Sequence, residues 1–222
     1  MMIAYPAADI SCELKEDKVL ELIIENQHIF YNIVSDIQSQ LDGNDGAFVV
    51  SENYQPMDMR KNTELITQLV PFTVNQKDLI SKLYALLKKE AVNEKMYQKT
   101  YEILSRISEY LYELIEGQEM ELTITAPEDI TGILKAFDMS FDDKDMSLSE
   151  KILEYIITSR DLKGKKLFIT LNLRSYLTDN QTEQLFQSLL LKKIQLICIE
   201  STEHSRLCNE EVIIIDKDMC VI

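Results

Sequence analysis

Between Asn75 and Glu116 the chain has neither proline nor glycine, and its apolar residues recur at spacings of three and four. Leu79, Ile80, Leu83, Leu86 and Leu87 set one stripe, and Tyr97, Tyr101, Leu104, Ile107, Leu111 and Leu114 set a second. A stretch this long, with this period and no breaker, is restricted to helix. Asn75 reads as its N-cap, Gly117 as its C-cap, and a break near Val92-Asn93 divides it into two antiparallel helices. The stretch carries seven basic and seven acidic side chains, so the net charge of −15 on the 222-residue chain lies elsewhere. A neutral amphipathic arm favours association.

The flanking sequence has a different grammar. Val19-Leu20-Glu21-Leu22-Ile23-Ile24 is an apolar run of strand length, and Ile29, Phe30, Ile33, Val34 and Ile37 then recur with helical period. Gly43-Asn44-Asp45-Gly46 is a turn before the short strand candidate Ala47 to Val50, so the chain begins β-α-β. Beyond the arm, Glu121 to Thr125 alternates as a strand and Glu128 to Asp138 has helical spacing. Ser147-Leu148-Ser149-Glu150 and Thr178-Asp179-Asn180-Gln181 are capping boxes, each opening a helix. Lys166 to Asn172, Ile194 to Ile199 and Val212 to Ile215 complete the strands. Strands alternating with helices predict an α/β fold, a mostly parallel sheet flanked by helices, with the long helices inserted as a leg. The expected division is a head over residues 1–60 and 130–222 and a leg over 61–129.

Several classes of chemistry are disfavoured. The charge rules out a surface that is basic throughout. No apolar run reaches membrane-spanning length and the N-terminus lacks a leader pattern, so a cytoplasmic protein without a membrane association is expected. Cys12, Cys198, Cys208 and Cys220 are too scattered for a zinc site and read as reduced thiols, with Cys198 in the core. The turn after the first long strand, Glu25-Asn26-Gln27-His28, has no glycine and no G-K-[ST], and Leu167 to Leu171 ends in the neutral Asn172 rather than an acid. ATP hydrolysis has no apparatus here. His28 and His204 lack a nucleophile and an orienting partner, so no catalytic residue is assigned.

Two uneven charge distributions remain. Residues 118–150 carry nine acids against two lysines, which suits an oxygen-ligated cation such as calcium. An EF-hand reading beginning at Asp143 fails, because Leu148 stands where glycine is required. A looser site from Glu119, Glu121, Glu128 and Asp129 is the alternative to a solvated acidic face. Basic residues gather as Lys163, Lys165, Lys166, Arg174, Lys192 and Lys193, against Asp179 and Glu183 alone between residues 163 and 193. Lys88-Lys89 forms a smaller spot on the arm. Such clusters bind a phosphate backbone when repeated by oligomer symmetry, although a solubilised turn would show the same composition.

The order of these segments carries a resemblance. Val19-Leu20-Glu21-Leu22-Ile23-Ile24-Glu25 runs into Gln27-His28-Ile29-Phe30, a helical insertion follows, and then come Lys165 to Asn172 with Tyr176-Leu177-Thr178, Ile194 to Ser201 and Val212 to Met219. Over nearly its whole length the chain resembles the Csn family of type II-A CRISPR-associated accessory adaptation proteins. The resemblance implies a degenerate phosphate-loop-hydrolase-like head with a leg, and no enzymatic activity. It implies a calcium-assisted homotetrameric ring that binds double-stranded DNA ends without sequence preference. It places the protein in spacer acquisition, with the CRISPR integrase complex and the effector nuclease as partners; an assembly protein that docks these without touching DNA is the alternative. The family's calcium ligands would fall at Glu119, Glu121, Glu128 and Asp129, a stretch that here also holds Thr123, Thr125 and Pro127. DNA contacts are assigned to Lys163, Lys165, Lys166, Lys192 and Lys193, with Lys88 and Lys89.

Overall fold

A computed structural model describes residues 1–222. The chain divides into two compact units, Met1–Val74 with Asp143–Ile222, and Asn75–Asp142.

The first unit is built on a five-stranded sheet. Its strands are β3 (Val19–Ile24), β6 (Thr63–Ile66), β7 (Leu167–Leu171), β8 (Gln195–Glu200) and β9 (Glu210–Ile215), in the order β6-β7-β8-β3-β9 and parallel throughout. Near-continuous apolar runs such as Val19–Ile24 form such strands because both faces are covered. Side-chain alternation sends Leu20, Leu22, Ile24, Leu167, Ile169, Ile197 and Ile199 into one core. That core is shared with α1 (Gln27–Leu41) through Ile29, Ile33 and Ile37. It also takes Ile3, Tyr5, Ile10 and Val50 from a second, antiparallel sheet, and Phe48 from just before that sheet's third strand in chain order. Its strands are β1 (Met2–Tyr5), β2 (Ile10–Glu13), β4 (Val49–Glu52) and β5 (Gln55–Pro56), in the order β2-β1-β4-β5. A short helix, α2 (Met59–Asn62), leads into β6.

The opposite face of the parallel sheet holds Val19, Ile23, Phe168 and Leu196, and α7 (Asp179–Leu191) lies against β8 beside α6 (Leu148–Lys163). Both expected capping boxes form: Ser147 with Glu150 opens α6, and Thr178 with Gln181 opens α7. Gly164 ends α6 at φ +73°, a left-handed position that an L side chain resists.

The second unit contains α3 (Lys77–Ala91), α4 (Tyr97–Glu116) and the short α5 (Thr131–Ala136). The break falls between Ala91 and Tyr97, where the Asn93 side chain accepts from the backbone of Lys95 and Met96. No helix of the chain is long and apolar enough to cross a membrane.

Four expectations need correction. Residues 63–66, placed in the leg, are the edge strand of the head sheet, while residues 130–142 lie in the helical unit. Glu121–Thr125 alternates like a strand but forms none; an extended segment becomes a strand only where a neighbour takes its N–H and C=O groups. The helix expected over 128–138 shortens to α5. The N-cap position of α3 is Gln76 rather than Asn75; the Asn75 side chain pairs with both backbone groups of Phe141, at 2.8 and 2.9 Å.

Candidate functional site

The basic cluster lies where α6 ends and β7 and β8 begin. Lys163 and Lys165 converge on Glu64 of β6. Lys163 Nζ is 2.7 Å from Glu64 Oε1, Lys165 Nζ is 3.6 Å from Glu64 Oε2, and the Tyr155 hydroxyl donates to Glu64 Oε1 at 2.6 Å. Lys165 also donates to the carbonyls of Arg60 and Thr63, at 2.8 Å each. The Lys163 side chain is 9% exposed and stands over the Tyr155 ring. These two lysines fasten the edge strand β6 to α6, so their charge is spent inside the fold. Lys166 is half-exposed and pairs with Glu52 of β4 at 2.9 Å.

Lys192 and Lys193 are different. Both are exposed and their side chains have no hydrogen-bond or ion-pair partner. They close α7 in a Schellman turn: Lys193 N donates to Leu190 O and Ile194 N to Leu189 O, with Lys193 at φ +54°. A lysine in this left-handed position carries conformational strain that glycine or asparagine would avoid. The Arg160 guanidinium anchors the turn by donating to Lys192 O at 3.2 Å. A cavity of about 300 Å³ opens beside it, with Arg160, Lys165, Lys166 and Lys193 opposed by Glu16 and Glu52. Of five lysines grouped from sequence, two remain free to meet an external anion.

On the arm, Lys88 and Asp129 were assigned to different ligands, and the structure joins them to each other in an ion pair. The Asp129 carboxyl is held well below its usual range, first by Lys88 and then by the Thr131 hydroxyl and backbone N–H. Lys89 stays exposed and unpaired. Glu119, Glu121 and Glu128 are exposed along an irregular stretch, and nowhere do three or more His, Cys, Asp or Glu side chains come together to hold a metal ion. As placed, these four acids do not fit a calcium site. Asp143, first residue of the rejected EF-hand, instead accepts from the Thr73 hydroxyl at 2.7 Å and Val74 N at 2.8 Å.

The turn where a phosphate loop would lie is filled by protein. The Asn26 side chain accepts from His28 N and Ile29 N at the start of α1, satisfying donors that would otherwise face an anion, and its amide donates to Lys217 O. Cys198 is fully buried, and burial raises its thiol well above the usual range; burial followed by Glu211 raises Cys12 to about 11. Neither thiol is a nucleophile near neutral pH.

The largest feature unforeseen from sequence is a buried charge cluster on the α7 face of the sheet. Arg174, in the turn Leu173–Ser175 after β7, sends Nη1 to Glu21 of β3 at 2.9 Å and to Glu210 of β9 at 3.1 Å. Its Nη2 meets Asp179 at 2.9 Å and the Ser205 carbonyl at 2.8 Å. Glu200 ends β8 beside it, accepting from Arg174 N at 3.2 Å. Glu21, Glu200 and Arg174 are each within 5% of complete burial. A glutamate inside the apolar run 19–24 and another ending the run 194–200 were the available signals, since charge on a doubly covered strand demands a partner.

A family model described as CRISPR-associated protein (Cas_Csn2) matches residues 40–219. The chain belongs to the Csn2 family of CRISPR-associated proteins. Membership supports a role in CRISPR adaptation. A curated relative, the CRISPR-associated protein Csn2 of Enterococcus faecalis, is 26% identical over 196 residues, which cover 82% of this chain and 87% of the relative. Among solved structures the chain is similar to cbiO1 of Clostridium perfringens, part of the ABC transporter complex cbiONQ. The TM-score is 0.48 with 13% identity, over 96% of this chain and 79% of that one.

Proposed function

We propose that this Csn2 family member assembles as a homotetrameric ring that holds the ends of double-stranded DNA, without catalysing a reaction on them. It would do so during spacer acquisition beside the CRISPR integrase complex and the effector nuclease. The observation that carries this reading is the family match over residues 40–219. The free pair Lys192-Lys193 supplies a contact suited to phosphates, with Lys89 as a second point. Fourfold symmetry would multiply each contact, which lets an acidic chain bind DNA through a few repeated cations. The reading routes no step through calcium.

The strained lysine gives a direct test. Lys193→Gly is expected to raise stability by about 1 kcal/mol, because glycine accepts the left-handed turn, while weakening DNA binding. Charge reversal of the pair, K192E with K193E, is expected to abolish binding in gel-shift or anisotropy assays at ~100 mM salt and to leave the melting temperature within a few degrees. Unchanged affinity in the double variant would remove the pair from the interface.

A second reading is an assembly protein that docks the other adaptation components without binding DNA. The exposed tyrosines and aliphatics of α4 favour it. It would gain if K192E with K193E left spacer acquisition intact.

A further inference from the structure

The cluster around Arg174 is incompletely satisfied in a systematic way. Four of its buried polar atoms have no hydrogen-bond partner: Glu21 Oε1, Glu200 Oε2, Arg174 Nε and His204 Nε2. Two of them face each other, since His204 Nε2 lies 3.5 Å from Glu200 Oε2. In the tautomer that carries the imidazole N–H on Nδ1, Nε2 and an ionised Glu200 Oε2 are two acceptors that gain nothing from each other, and one proton on Glu200 Oε2 turns the contact into a long hydrogen bond.

The surroundings place the proton on the carboxyl. Burial raises Glu200 to about 7, whereas burial, and then the positive charge of Arg174, lowers His204. Burial also raises Glu210. The charged and titratable groups facing the pair come from every neighbouring element: Glu21 from β3, Arg174 from the turn after β7, Cys198 from β8, Asp179 from α7 and Glu210 from β9. One guanidinium therefore answers three buried carboxylates. Ionising Glu200 adds a buried charge with no further cation to meet it.

His204 belongs to residues 201–209, which join β8 to β9 without regular strand or helix. Few bonds hold this segment down. Ser201 N donates to Asn172 Oδ1, Arg174 Nη2 to the Ser205 carbonyl, Ser205 Oγ to Asp179 Oδ2 and Leu207 N to Glu210 Oε1. At the far end of the segment Val19 N donates to Asn209 O at 2.9 Å. Apart from Asn172 and Val19, every partner outside the segment is a member of the charge cluster. The segment leaves the C-terminal end of β8, the edge at which open parallel sheets receive ligands, and crosses to the start of β9 at the other end of the sheet.

We propose that residues 201–209 form a latch over the C-terminal ends of β7 and β8, held shut by a proton lodged between Glu200 and His204 and released when that proton leaves. The direction follows from linkage. A carboxyl that holds its proton more tightly in the closed form stabilises that form below its ordinary titration range, and the stabilisation is lost as pH rises through about 7. His204 acts at the other limit: it must stay neutral, so strong acid also loosens the latch. Release exposes Glu21, Glu200 and Glu210 as an acidic strip on the α7 face of the sheet, running from the end of β8 to the start of β9. This inference does not depend on DNA binding.

Hydrogen exchange read by mass spectrometry tests it, on the full chain at pH 6.0 and 8.5, corrected for intrinsic exchange and referenced to the turn 42–46. In the wild type, protection of amides within 201–209 is expected to fall roughly tenfold or more at the higher pH. Glu200→Gln, which keeps the shape and donates permanently to His204, is expected to retain protection at pH 8.5. Equal protection at both pH values in the wild type overturns the proposal, as does an undiminished fall in E200Q. If E200Q does not fold, the wild-type ratio alone decides.

Discussion

Replacing Arg174 with methionine is expected to cost about 3–5 kcal/mol of stability, the range for removing one partner from a buried ion pair. The side chain is fully buried and its two terminal nitrogens reach three carboxylates and a carbonyl. Methionine fills the volume but leaves Glu21 and Glu210 facing each other across strand β3 and strand β9 without a cation. Arg174→Lys keeps the charge and loses the planar fork, so an intermediate loss is expected. The combination R174M, E21Q and E210Q should recover most of the deficit, because the buried charges leave together. Urea unfolding of the four chains checks this. A cost below about 1 kcal/mol for R174M would mean that the cluster is more hydrated than its burial implies.

Aspartate at Ile103 and Ile107 of α4 is expected to dissolve the proposed tetramer while leaving each chain folded. Ile103 is 52% and Ile107 36% exposed, and with Tyr110 and Leu114 they recur at four, three and four residues along one side of the helix. Tyr97, Tyr101, Leu111 and Tyr112 widen the apolar exposure. Monomeric proteins rarely leave a patch of this kind uncovered. Because the two sites are exposed in the single chain, the substitutions should change its unfolding free energy by no more than about 0.5 kcal/mol each. Burying unpaired carboxylates at an interface costs roughly 2–5 kcal/mol, so association should weaken at least about 30-fold. Light scattering after size exclusion reads the mass: four chains for the wild type and a smaller species for I103D with I107D. An unchanged mass would remove α4 from the assembly surface.

The parts legible in the sequence were those set by local physics. Long apolar runs gave β3, β7, β8 and β9, spacing gave α1, α3 and α4, and side-chain chemistry gave both capping boxes. What escaped was set by partners distant in the chain. Strand β6 is a four-residue segment whose identity depends on Leu167 to Thr170 lying beside it. Glu121–Thr125 has the strand pattern and lacks such a neighbour. The lysine cluster shows the same limit. Composition grouped Lys163, Lys165 and Lys166 with Lys192 and Lys193, but only folding brings Glu64 and Glu52 up to neutralise the first three. Lys88 and Asp129 were separated by function in the sequence and turn out to be each other's partner. Arg174 was counted as one more basic residue, since nothing local to it announces Glu21 or Glu210.

The central claim is that this protein threads onto DNA ends as a closed ring, and topology tests it most directly. Purified protein is mixed with linear duplex and with covalently closed circular duplex of equal length, at ~50 and ~200 mM salt, with calcium and with chelator. Binding confined to the linear form, and weakening steeply with salt, is the predicted result. Equal binding to both forms would contradict threading, and binding to neither would leave the assembly protein as the better account.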